Sequence, residues 1–92
     1  MDLADLRAQL TKLDGELLAL IAERQRISEE VARAKRAAGL PTRDFQRERD
    51  VLMNARAAAE ELGLPPALAD NLLRLLIRSS LATQEQAQVA AQ

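Results

Sequence analysis

The sequence predicts an all-α protein with three helices per chain, one of them very long, and three observations carry that reading. Apolar residues recur at steps of three and four rather than two, the spacing of a helix face. Hydrophobic residues make up 48% of the chain while Phe45 is its single aromatic, so a core must be assembled from Leu, Ile, Val and Ala. That palette favours helices over sheets. Two clusters of helix-breaking residues, Gly39-Leu40-Pro41 and Gly63-Leu64-Pro65-Pro66, divide the chain into three periodic segments. At 92 residues, the whole of 1–92 is expected to form a single domain.

The first helix is expected over about 2–38. One heptad column reads Leu3, Leu10, Leu17, Arg24, Val31 and Ala38, and the other reads Leu6, Leu13, Leu20, Ile27 and Ala34. Every position is apolar except Arg24. A helix of this length reaches roughly 54 Å, whereas a compact globule of this chain length has a radius of gyration near 12 Å, about 30 Å across. Its own chain cannot cover it. A second copy alongside would bury the stripe, so an intertwined homodimer with interleaved first helices is predicted. Gly15 interrupts this helix at a cost of about 1 kcal/mol relative to Ala, either to admit a partner backbone or as a tolerated exception.

The second helix is expected over about 44–62, with Thr42 or Asp44 as N-cap and Gly63 as its stop. The third is expected over about 65–86, opening on Pro65 or Pro66, where proline suits a first turn. Its apolar face comprises Leu68, Leu72, Leu73, Leu76, Ile77 and Leu81. The tail from Gln84 to Gln92 is rich in Ala and Gln and is expected to fray beyond Gln88.

Composition narrows the chemistry. The chain has no Cys and no His, which removes thiol nucleophiles, disulfides, imidazole bases and the usual zinc sites. Thirteen basic and 14 acidic residues leave a net charge of −1, too balanced to attract nucleic acid or a membrane surface, so anion binding must be local. No apolar run approaches the roughly 20 residues of a membrane span, and Met1-Asp2-Leu3 does not begin a secretion signal. A cytoplasmic location is the expectation.

Arg24 is the sharpest anomaly, because an unpaired guanidinium in a leucine column costs several kcal/mol. It needs an anion. Either a glutamate of a partner helix supplies it and Arg24 sets register, or a ligand does. At 100° per residue, Ser28, Val31 and Lys35 share its face within about 40°. On the second helix Asp44, Arg47, Glu48 and Val51 follow i, i+3, i+4, i+7 spacing, an arrangement that taken alone favours a solvated ladder. On the third, Ile77, Ser80 and Gln84 lie at i, i+3, i+7, and small polar residues bordering an apolar face are most often structural. Together these residues describe a pocket with several cations, two carboxylates, a hydroxyl and a carboxamide, with no nucleophile and no conventional base. Such an inventory suits a substrate bearing carboxylates and hydroxyl or ether oxygens, in a reaction driven by shape and charge.

The order and spacing of several segments resemble the AroQ chorismate mutases from Leu6 to Gln84. They are Leu6-Arg7, Leu13-Asp14, Leu17-Leu18-Ala19-Leu20-Ile21-Ala22-Glu23-Arg24, Val31-Ala32-Arg33-Ala34-Lys35, Pro41-Thr42-Arg43-Asp44, Arg47-Glu48-Arg49, and Ile77-Arg78-Ser79-Ser80 with Gln84. The resemblance implies an intertwined dimer that converts chorismate to prephenate, on the way to phenylalanine and tyrosine, without metal or cofactor. It implies that Arg24, with Arg7 from the other subunit, clamps two carboxylates, and that Lys35 and Gln84 donate to the ether oxygen. Glu48 and the backbone at Asp44 would contact the ring hydroxyl, with Arg47 and Ser80 orienting Glu48 and assisting a carboxylate. Val31, Val51 and Ile77 would form the apolar wall. Related isochorismate pyruvate lyases and aminodeoxychorismate mutases share the basic framework, and Glu48, Ser80 and Gln84 point toward chorismate itself. A rival of another class is a non-catalytic helical dimerisation module in which Arg24 only sets register.

Overall fold

The structure is a computed structural model. It describes residues 1–91, with side-chain surroundings for all of these but 88 and 91. Three helices follow in order, α1 (Leu3–Ala37), α2 (Phe45–Leu62) and α3 (Pro66–Ala91), and no strand occurs among the described residues. The all-α expectation holds.

Each helix begins and ends on identifiable chemistry. At the start of α1 the Asp2 carboxylate accepts from the Asp5 backbone N–H at 2.9 Å while the Asp5 side chain accepts from that of Asp2, a reciprocal capping box. At its end Gly39 takes the left-handed conformation, φ 71°, so that Leu40 N–H returns to the Lys35 carbonyl at 2.9 Å and Gly39 N–H to that of Arg36 at 3.1 Å. Of the two candidate caps for α2, Asp44 is used: its side chain accepts from Arg47 N–H at 3.0 Å. Gly63, at φ 71°, ends that helix and allows the sharp reversal into α3.

α3 is the central element, packing against both α1 and α2. The buried apolar residues are few: Ala32 of α1, Ala59 of α2 and Leu76 of α3. Asp70, 6% exposed, fastens α2 to α3 by accepting from Arg56 at 3.0 Å and from Arg74 at 2.6 Å. Two arginines around one carboxylate satisfy a group whose burial would otherwise be costly.

Two details differ from expectation. α3 continues to Ala91, past the end predicted near residue 86, because Ala and Gln are adequate helix formers and nothing in that stretch stops the helix. The predicted fraying beyond Gln88 therefore does not interrupt the helix up to Ala91, and Gln92 lies outside the described residues. Leu68, assigned to the apolar face, is 56% exposed. It lies in the first turn of α3.

The shape is elongated, 56 × 26 × 15 Å, with a radius of gyration of 16.5 Å, against about 12 Å for a compact chain of this length. Every residue from Met1 to Leu20 is exposed, including Leu3, Leu6, Leu10, Leu13, Leu17 and Leu20. Gly15 has open space around it within the chain. Among the described residues no helix is long and apolar enough to cross a membrane.

Candidate active site

The C-terminal half of α1, the loop after it, the first turns of α2 and the middle of α3 enclose a cavity of about 250 Å³. From α1 come Arg24, Ser28, Val31 and Lys35, the stripe that helical spacing places on one face. Thr42 and Asp44 border it from the loop, Arg47, Glu48 and Val51 from α2, and Ile77, Ser80 and Gln84 from α3. Each candidate named from the sequence thus borders one cavity, Arg7 excepted. Ile27 and Leu81 complete the apolar wall.

Arg7 is exposed and stands apart. Seventeen residues along a helix separate it from Arg24, about 25 Å, so it cannot join the cavity of its own chain. Arg24 itself is half-buried.

The cations are held by neutral oxygens. Lys35 Nζ donates to the backbone carbonyl of Thr42 at 3.2 Å, made possible by the turn at Gly39 that folds the loop back over the end of α1. Arg24 Nη1 donates to Oε1 of Gln25 at 3.2 Å. Among the described residues none of Arg24, Lys35 and Arg47 forms an ion pair. Their positive charge remains available to a ligand.

The acidic residues are committed. Glu48 is gripped in a two-pronged pair by Arg43, whose Nε and Nη2 donate at 3.0 and 3.1 Å. Arg43 also lies over the Phe45 ring, 4.4 Å from its centroid. Hydrogen bonding to Glu48, and to a lesser degree the charge of Glu85, holds the Arg43 guanidinium above its ordinary pKa. Arg43, not Arg47, is the arginine on Glu48, a partnership that helical spacing does not reveal because Arg43 precedes the helix.

Two buried polar residues of α3 face the cavity. Ser80, 8% exposed, donates its hydroxyl to Gln25 Oε1 at 3.1 Å. Gln84 is 7% exposed, and its carboxamide oxygen has no hydrogen-bond partner. A buried carboxamide oxygen left unpaired by the fold is an unusual expense. Gln25, which spacing does not distinguish from the other polar residues of α1, links Arg24, Ser80 and the Leu76 carbonyl.

The arrangement contains no activated nucleophile: the Ser80 proton goes to a carboxamide, and a carboxamide is no base. What it offers is a positively charged, partly apolar enclosure for a small anion.

Comparison with known proteins agrees with that chemistry. A family profile described as chorismate mutase type II matches residues 6–85. The chain is 37% identical over 83 residues to the T-protein of Enterobacter agglomerans, covering 90% of this chain but 22% of that protein. It is 38% identical over 80 residues to the bifunctional chorismate mutase/prephenate dehydratase of Escherichia coli K12, covering 87% of this chain and 21% of that protein. Both are several times longer than the matched segment. To the chorismate mutase of Methanocaldococcus jannaschii it is 30% identical over 84 residues, which cover 91% of this chain and 85% of that protein.

Proposed function

The chain belongs to the chorismate mutase type II family, and on that premise we propose that its cavity catalyses the rearrangement of chorismate to prephenate. The observation that carries the reading is the set of three cations, Arg24, Lys35 and Arg47, that form no ion pair among the described residues and border one partly apolar cavity beside the buried carboxamide of Gln84. A dicarboxylate answers the cations, and an ether oxygen can accept from the amide nitrogen of Gln84.

In this reaction one carbon–oxygen bond breaks as one carbon–carbon bond forms, within a single cyclic array of electrons. No proton moves and no covalent intermediate arises, so the reaction asks for neither an activated nucleophile nor a general base. Two tasks remain for the protein. Val31, Val51 and Ile77 confine the ring while the arginines fix the carboxylates, so the flexible side arm is held over the ring before the barrier is climbed. Lys35 and the carboxamide of Gln84 donate to the ether oxygen, whose negative charge grows as its bond lengthens. Glu48, held in place by Arg43, accepts from the ring hydroxyl.

The second carboxylate is assigned to Arg7 of another copy. An intertwined homodimer, with the leucine stripe of each α1 buried on the other, brings that residue to the cavity and covers the exposed apolar face. The cytoplasm is the setting we assign to it.

The test is to supply the purified chain with chorismate and follow prephenate, then to repeat the assay with isochorismate. Prephenate formation faster than the uncatalysed rearrangement is expected. Conversion of isochorismate alone, or of neither compound, would remove the reading. A helical dimerisation module would, in addition, gain no thermal stability from a dicarboxylate mimic of the transition state, whereas the enzyme would.

A further inference from the structure

We infer that Gln25 is the positioning residue of this site, aligning Arg24 and Ser80 from a neutral anchor so that Arg24 keeps its full charge for the ligand. The inference rests on the reading of the cavity as a site for chorismate or a similar dianion. It concerns a residue that does not border the cavity itself.

The geometry is specific. The Gln25 Nε2 donates to the backbone carbonyl of Leu76 at 3.3 Å, and Leu76 is among the few buried residues of the chain. That bond ties the amide of a residue on α1 to the main chain of α3. Once the amide nitrogen is committed, the direction of the amide oxygen is set. Oε1 then accepts from Arg24 Nη1 at 3.2 Å and from Ser80 Oγ at 3.1 Å. One side chain therefore orients a cation of α1 and a hydroxyl of α3, two groups that both line the cavity.

The chemical type of the anchor matters as much as its position. A guanidinium is most easily fixed by a carboxylate, but an ion pair cancels the charge that an anionic ligand needs. A carboxamide oxygen supplies direction without charge. Lys35 follows the same rule, tethered to the Thr42 carbonyl. A second consequence concerns Ser80. Its only proton is given to Gln25, so toward the cavity its oxygen presents lone pairs.

Gln25→Glu and Gln25→Met separate this role from a merely structural one. The glutamate keeps the acceptor oxygen, loses the donor to the Leu76 carbonyl and pairs with Arg24; the methionine keeps the length and removes both donor and acceptor. Both are compared with the unaltered chain by steady-state conversion of chorismate between about pH 5 and pH 8, with circular dichroism as the check of fold. For Gln25→Glu a rise in KM of about tenfold or more at neutral pH is expected, from loss of the charge-assisted contact. Acidification should partly reverse it as the new carboxyl protonates. The other charged groups bordering the cavity are Arg24 and Lys35 of α1, Asp44 of the loop, and Arg47 and Glu48 of α2; α3 contributes none. These are common to all three proteins, so the unaltered chain supplies the baseline profile. For Gln25→Met a fall in kcat/KM of about tenfold is expected, with no change in the shape of the pH profile.

Wild-type KM in Gln25→Glu, or equal and pH-independent losses in both variants, would overturn the inference, as would loss of fold in both. Failure of the unaltered chain to form prephenate would instead overturn the functional reading on which the inference stands.

Discussion

Arg24 and Lys35 are fixed by the oxygens of Gln25 and Thr42, which direct them without neutralising them. Each is expected to contribute about 3 kcal/mol to transition-state binding, so Arg24→Ala and Lys35→Ala should each lose a factor of about 10² or more in turnover. Steady-state kinetics with chorismate measures this, and near-normal rates in either variant would remove the assigned role. Gln84 makes a different prediction. Its amide donates at any pH, whereas a glutamate in its place donates only when protonated, and an ordinary glutamate titrates near pH 4.3. Gln84→Glu should therefore be least active at neutral pH and recover as the solution is acidified; a profile parallel to that of the unaltered chain would contradict the role of Gln84. Arg24 was conspicuous from sequence because it breaks a leucine column. Gln25 and Arg43 were not, since a polar residue on an amphipathic helix or in a loop carries no pattern, and their partners Leu76, Ser80 and Glu48 are set by tertiary contact.

At the level of helices, periodicity and breakers carried most of the information. The heptads of α1 and the glycines at 39 and 63 mark the helices to within a residue or so, because a left-handed stop needs glycine and a heptad cannot be read as a strand. The end of α3 was misjudged because no breaker marks it. Asp70 shows what periodicity leaves out. The i, i+4 spacing of Asp70 and Arg74 is visible in the sequence, but the burial of the carboxylate and its second partner, Arg56 on α2, are not. Hydrogen bonding to Arg74, with a further contribution from Arg56, holds the Asp70 carboxyl below its ordinary pKa. A lowered folded-state pKa stabilises the protein above the ordinary carboxylate range, and that stabilisation is lost as pH falls through the folded value. Asp70→Asn should lower the thermal midpoint at neutral pH and narrow its gap from the unaltered protein below about pH 4. A gap that stays constant into acid, or no destabilisation at neutral pH, would show that the clamp between α2 and α3 contributes nothing.

For the molecule as a whole, the decisive feature is an extended α1 with an uncovered leucine stripe and, at its exposed end, an arginine that its own cavity cannot receive. So large an apolar face is unstable in water unless something covers it. In the proposed dimer a second copy running alongside would cover the stripe and deliver Arg7 in one step, making the site the property of two chains. That claim has a direct measurement. Arg7→Ala and Lys35→Ala chains, each nearly inactive alone, are unfolded together in equal amounts, refolded, and assayed with chorismate. If Arg7 is contributed across the interface, half of the dimers are mixed and each of these carries one intact site of two, restoring about one quarter of wild-type activity. Activity no higher than the average of the two separate variants would show that Arg7 and Lys35 do not meet across a dimer, and the account would fail at its centre.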